Sequence, residues 1–216
     1  MMAQEMDMRA RELMVRSQVR CWSVLDERVL AVFSDLPRED FVPEQYRAMA
    51  YADLALPLPG GQEMMTPSVE GRILQALDLK AGDRVLEVGT GSGWLAACLA
   101  QMAAEVHSLE ISPELHAGAT EKLSALANVK TIRADAFEWK PETAFDAVVL
   151  TGSMPQYDDR FEQWLARGGR LFCIVGRQPI MEALLITCGE SRIEESLFET
   201  VTTPLANAPQ PDPFRF

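Results

Sequence analysis

The chain is poor in residues that hold metals or crosslinks. Its 216 residues include four cysteines (Cys21, Cys98, Cys173, Cys188), far apart, and two histidines (His107, His116). No C-x-x-C or H-x-x-x-H spacing occurs, so no metal site is expected. Cys98 and Cys173 sit in apolar segments and read as buried thiols, which fits a reducing compartment. His107 and His116 read as structural or surface residues. No apolar run approaches the ~20 residues needed to span a bilayer. Met1 to Arg20 is charged and interrupted, with no signal-peptide core. No membrane association and a cytoplasmic location are expected. Positive charge is also scarce: 20 Lys and Arg stand against 32 Asp and Glu, a net charge of −12. Arg9, Arg11, Arg16 and Arg20 form the one basic cluster, and on a helix they alternate with acids and core residues. A nucleic-acid partner is therefore not expected, since phosphate contacts need a basic face. Repeats and low-complexity tracts are absent.

What is present is an ordinary globular composition, 48% hydrophobic and 24% charged, enough for one domain with an N-terminal addition. Residues 5–35 read as one or two helices, with Leu13, Met14, Ser17 and Cys21 on one face and Val29, Leu30, Val32 and Phe33 on another. Residues 56–67 form a proline- and glycine-rich loop of the length that often serves as a lid. A helix carrying Val69, Ile73, Leu74 and Leu77 follows. Strands and helices then alternate: strand 84–88, helix 93–103, strand 105–110, a helix capped by Ser112 and opened by Pro113, strand 129–134 and strand 145–151. A helix near 158–167 ends at Gly168-Gly169. Strand 170–175 comes next, and the stretches 182–187 and 194–203 are β-prone. This alternation predicts an α/β fold, a mostly parallel, doubly wound sheet with helices on both faces and a helical N-terminal segment. Pro209 to Phe216 is expected to be irregular.

The most informative segment is Arg84-Val-Leu-Glu-Val-Gly-Thr-Gly-Ser-Gly-Trp94. A buried strand runs into three glycines and then into an apolar helix. This order brings backbone close to a nucleotide, because glycines reach positive φ and carry no Cβ, and the helix start presents free N–H groups. The dinucleotide fingerprint G-x-G-x-x-G would need glycine at position 94, where Trp94 stands, so NAD is disfavoured. Gly89-x-Gly91-x-Gly93, with Glu87 two residues earlier, resembles motif I of the class I S-adenosylmethionine methyltransferases. A carboxylate at Glu87 suits a cationic ligand.

Ligands of doubly wound sheets bind at the carboxyl ends of the strands. The first strand ends in Glu87 and the glycine turn, the second in Glu110-Ile111, the third in Asp135-Ala136 and the fourth in Thr151-Gly152-Ser153. Glu110 can accept from both ribose hydroxyls, Asp135 from an adenine amino group, and the Ala136 N–H can donate to a ring nitrogen. Glu87, Gly89, Thr90, Gly91, Ser92, Gly93, Glu110, Ile111, Asp135, Ala136 and Thr151 are therefore the candidate cofactor residues.

Over nearly its whole length the chain resembles the protein-L-isoaspartate O-methyltransferase family. The matching elements are Met14-Val-Arg-Ser-Gln-Val-Arg20, Asp26-Glu-Arg-Val-Leu30, Phe41-Val-Pro43, Tyr51-Ala-Asp53, Leu56-Pro57, Gly61-Gln62, Pro67, the glycine segment, Ala166-Arg-Gly-Gly-Arg170 and Val175-Gly176. The resemblance implies a Rossmann-like domain, S-adenosylmethionine as methyl donor, a protein or peptide carboxylate as acceptor, and a lid over the cofactor. It divides the chain into a helical segment and lid loop (1–80) packed on the core, a cofactor-binding core (81–206) and an irregular tail (207–216). A monomer or weak dimer is expected.

One departure stands out. In that family Gly-Gln is followed by Thr-Ile-Ser, whose hydroxyls lie at the acceptor site. Here Glu63 and Met65 take the two hydroxyl positions, and Thr66 lies one place beyond. Glu63, Met65 and Thr66 are thus the candidate acceptor residues, with Glu63 repelling a carboxylate and Met65 unable to hydrogen-bond to it. The leading reading is an O-methyltransferase of the isoaspartyl type with reduced isoaspartyl activity. A methyltransferase for another acceptor and a non-catalytic S-adenosylmethionine-binding module remain open.

Overall fold

The computed structural model describes residues 2–210, with side chains from residue 5; the end of the tail expected to be irregular, 211–216, lies outside the described residues. The chain opens with α1 (Met2–Met14), a π-turn (Val15–Val19), a 3₁₀ turn (Arg20–Trp22) and α2 (Glu27–Asp35). The π-turn moves the buried face. Met14, Val15 and Val19 are buried, while Leu13, Ser17 and Cys21 face solvent, so the face expected from a regular helix is wrong there. A π-turn adds a residue per turn and shifts the phase of everything after it. In α2 the predicted quartet Val29, Leu30, Val32 and Phe33 is buried. Asp26 caps this helix by accepting from Arg28 N–H at 2.9 Å.

The proline- and glycine-rich loop is a small hairpin. Strands β1 (Leu56–Pro57) and β2 (Glu63–Met64) pair antiparallel, and Leu58 N–H donates to Gln62 C=O at 2.8 Å across the turn. Next come α3 (Pro67–Leu77), β3 (Arg84–Val88), α4 (Trp94–Ala100), β4 (Glu105–Glu110), α5 (Pro113–Leu123), β5 (Val129–Arg133), β6 (Phe145–Met154), β7 (Leu165–Arg177), β8 (Ile180–Cys188) and β9 (Arg192–Thr200). Strands β3 to β9 form one sheet of order β5-β4-β3-β6-β7-β8-β9. Neighbours from β5 through β7 are parallel, and β7-β8 and β8-β9 are antiparallel. The sheet order changes direction beside β3, which puts the glycine turn at the crevice where such sheets take ligands.

Alternation along the strands assigns residues to two faces. Val85, Val106, Ala147, Val149, Phe172 and Ile174 pack with buried residues of α2 to α5, whereas Leu86, Val88, Val148, Leu150, Leu171 and Cys173 pack with Phe161 and Trp164. Those last two belong to a 3₁₀ helix, Asp159–Trp164, not to the α-helix expected near 158–167. A spacing of three residues fits a 3₁₀ turn, and from Leu165 onward the chain is drawn into the sheet, with Leu165 opposite Phe145. Gly168-Gly169 lies inside β7, where the sequence suggested a helix end. Cys98 and Cys173 are buried free thiols, as expected. Among the described residues no helix is long and apolar enough to cross a membrane.

The segment after β9 folds back over the sheet. Ser153 N–H donates to Thr203 C=O at 3.0 Å, and Leu205 N–H donates to Ser153 C=O at 2.9 Å. This docking needs a bare backbone at Gly152, because a Cβ there would lie 2.9 Å from the Leu205 nitrogen. Gly152→Ala is therefore expected to destabilise the protein by about 1–3 kcal/mol, the usual effect of overpacking, read as a lowered urea midpoint. An unchanged midpoint would show that the segment moves aside at no cost.

Candidate active site

Backbone turns build the site. After β3, Gly89 sits at φ 98°, and a Cβ on it would fall 2.2 Å from Thr151 Oγ1. That close approach lets Thr151 donate its hydroxyl to the carbonyls of Val88 (2.9 Å) and Gly89 (2.8 Å), joining the ends of β3 and β6. At the end of β4, Glu110 accepts from Gly91 N–H through Oε2 and from Ser112 N–H through Oε1, each at 2.9 Å. One carboxylate thus ties the glycine turn to the entry of α5. Past β5, Asp135 accepts from Phe137 N–H at 2.8 Å and from Asn207 Nδ2 at 2.7 Å, so the tail reaches over this strand end as well.

These turns enclose a cavity of about 270 Å³. Gly89, Gly91, Glu110, Ile111, Asp135, Ala136, Thr151 and Glu63 all line it. A smaller cavity of about 40 Å³ adjoins it, lined by Glu63, Met65, Glu87, Thr90, Ser92 and Thr151 among others. Two candidates stand apart. Gly93 packs against Ala119 and Leu123 of α5. Thr66 lines neither cavity and caps α3, its Oγ1 accepting from Val69 N–H at 3.4 Å. Glu63 lines both cavities, and its Oε1 accepts from Thr203 N–H at 3.2 Å, tying the hairpin to the segment after β9.

Sequence reasoning missed that segment. Thr202, Thr203, Leu205 and Ala206 line the larger cavity, as do Leu58 of the hairpin, Leu115 of α5 and Phe137. They carry no catalytic residue types, and backbone hydrogen bonds place them. The Pro–Gly richness of 56–67 was the one available signal for Leu58.

The cavity residues suit a nucleoside with a cationic group. Apolar walls (Leu58, Leu109, Leu115, Phe137) alternate with the acids Glu110 and Asp135. A side chain at Gly91 would enter toward Leu58, whose Cδ1 lies 3.3 Å from the position of a Cβ. Glu87 is fully buried, accepts from the Ser108 hydroxyl, and has no hydrogen-bond partner at Oε1. Burial pushes its pKa up to about 8, against the opposing pull of Ser108 and with Glu110 and Glu70 adding to the rise. Burial thus favours the protonated form of Glu87, and a cation entering the smaller cavity would favour its carboxylate. Among the described residues no group of acids, histidines and cysteines is placed to hold a metal.

The shift makes a stability prediction. Its unfolded reference is 4.5 and its folded value about 8, so between these the folded state holds a proton that the unfolded state has lost. The contribution of Glu87 to stability is thus largest at low pH and falls as pH rises through this window, by at most about 1.4 kcal/mol per pH unit. Without ligand, Glu87→Gln should gain stability relative to wild type from pH 5 to 8 and level off above. Thermal melts at stepped pH check this, and a constant difference between the two proteins would contradict it.

Comparison with known proteins now fits this geometry. Residues 9–203 match the family model described as protein-L-isoaspartate(D-aspartate) O-methyltransferase (PCMT). The chain is 40% identical over 185 residues to protein-L-isoaspartate O-methyltransferase 2 of Anaeromyxobacter sp. (strain Fw109-5), covering 84% of this chain and 76% of that one. It is 36% identical over 189 residues to protein-L-isoaspartate O-methyltransferase of Methanoculleus marisnigri, covering 86% of each. A solved structure from Plasmodium falciparum, described as a protein-L-isoaspartate O-methyltransferase in complex with S-adenosyl-L-homocysteine, shares the fold with a TM-score of 0.76 at 21% identity, over 90% of this chain and 97% of that one. With the family model spanning most of its length, the chain belongs to the protein-L-isoaspartate(D-aspartate) O-methyltransferase family.

Proposed function

We infer that this protein is an S-adenosylmethionine-dependent O-methyltransferase acting on a carboxylate of a protein or peptide, with reduced activity toward isoaspartyl groups. Family membership supports the reaction class. The observation that carries the finer reading is Glu63, which lines both cavities on the lid hairpin.

S-adenosylmethionine supplies an electrophilic methyl group on a sulfonium. The chain's own residues do the rest. Glu110, already bonded to two backbone N–H groups, keeps lone pairs to accept ribose hydroxyls. Asp135 and the Ala136 N–H offer an acceptor and a donor to an adenine edge. Glu87 offers a buried carboxylate to a cationic end. An ionised acceptor needs no general base, so the hairpin's work is to exclude water and to aim the acceptor, an effect worth effective molarities of roughly 10⁵ to 10⁸ M. The net charge of −12 argues against a nucleic-acid acceptor.

At the lid, the negative charge of Glu63 opposes an incoming carboxylate, and the thioether of Met65 offers it no donor. Replacing both, Glu63→Thr with Met65→Ser, removes the charge and supplies two hydroxyls. Each regained bond to a charged group contributes roughly 1.5–3 kcal/mol if formed mainly in the transition state. Turnover of isoaspartyl peptides should rise at least about tenfold, a change of ~1.4 kcal/mol, with cofactor affinity little changed. Efficient methylation by the wild type would overturn the reduced-activity reading while leaving the reaction class intact. An inactive graft that still binds cofactor would place the specificity in another part of the site.

A further inference from the structure

Arg38 follows Pro37 in a short 3₁₀ turn, where a sequence reader expects a surface residue, yet it is 0% exposed. Its Nη2 donates to the Met65 carbonyl at 2.7 Å, at the end of the lid hairpin. The same nitrogen lies 3.2 Å from Glu70 Oε2 on α3, and Glu70 is 3% exposed. The guanidinium lies 5.5 Å from the ring centre of Trp94. Trp94 opens α4 directly after the glycine turn and is gripped by Phe33 and Phe41 at ring distances of 5.7 and 5.6 Å. One buried cation therefore touches the lid, the helix that follows the lid and the first residue after the cofactor turn.

We propose that Arg38 is a positioning residue that fixes the lid over the glycine turn by holding the Met65 carbonyl, with Glu70 present to neutralise it. A buried guanidinium needs a counter-charge, since an unpaired one is strongly disfavoured. Arginine suits the task because its planar fork can serve a carbonyl, a carboxylate and an aromatic face together. The Met65 carbonyl is the Arg38 contact that reaches the hairpin. Glu63 and Met65 flank Met64 at the end of β2, so the tether also sets where the residues of the acceptor side stand. The proposal rests on the cofactor reading above only for its consequence on binding; the tether itself is independent of it.

Removing Arg38 alone would strand Glu70 in the core. The useful variant is Arg38→Met with Glu70→Met, because apolar replacement of a buried pair often preserves folding. Hydrogen–deuterium exchange of residues 58–66, without ligand, reads the lid directly. The double variant should melt near wild type while lid amides exchange at least about tenfold faster, the scale of one lost charge-assisted bond. Its affinity for S-adenosylhomocysteine, by calorimetry, should fall by a similar factor. Glu70→Gln, which removes the counter-charge of Arg38, should melt below wild type. A folded double variant with unchanged lid exchange overturns the proposal, as does Glu70→Gln melting like wild type. Should the double variant not fold, Arg38→Lys decides: faster exchange in the lid but not in α3 is expected, and unchanged lid exchange overturns the proposal. Failure of the wild type to bind S-adenosylhomocysteine would instead count against the cofactor reading, whatever the lid does.

Discussion

The carboxylate of Glu110 bridges two backbone turns, and the shape of the larger cavity follows from it. Its oxygens accept from Gly91 and Ser112, so the glycine turn after β3 and the entry of α5 keep a fixed separation. Parallel pairing of β3 with β4 brings Val88 opposite Leu109 and thus delivers both turns to the same edge of the sheet. Charge-assisted bonds to backbone N–H groups are short and strong, and here they satisfy donors that the turns leave without partners. Thr151 performs the same service between β3 and β6. The cavity is a consequence of sheet order and of these two side chains.

Around that floor stand two walls. The β1–β2 hairpin is held from below by Arg38 through Met65 and from the side by Glu63 through Thr203. The segment after β9 is held by Ser153 and closes over Asp135 through Asn207. Glu63 therefore touches both walls: it lines both cavities on the hairpin, and it accepts from Thr203 N–H on the opposite side.

The strand ends were readable because each is a polar residue closing a β-prone stretch: Glu110 after Val106-His-Ser-Leu109, Thr151 after the apolar Ala147-Val-Val-Leu150. The family resemblance was readable from local motifs. Three features were not. The π-turn at Val15–Val19 rotates the buried face without any residue that announces it. The 3₁₀ helix at Asp159–Trp164 carries an apolar pattern that an α-helix would share, and pairing with the sheet decided the outcome. Arg38 and the Thr202–Asn207 segment owe their positions to contacts with backbone far along the chain, which residue type does not encode. Local pattern specifies elements and turn chemistry; long-range hydrogen bonds specify which of them meet.

The central claim is that one cavity, organised by Glu110, takes the cofactor. Isothermal calorimetry of S-adenosylhomocysteine with wild type and with Glu110→Ala tests it most directly. Wild type should bind one equivalent, and the variant, folded by circular dichroism, should lose at least about tenfold in affinity, the scale of one bond to a charged group. Equal affinity in the two proteins, or no binding by the wild type, would contradict the account.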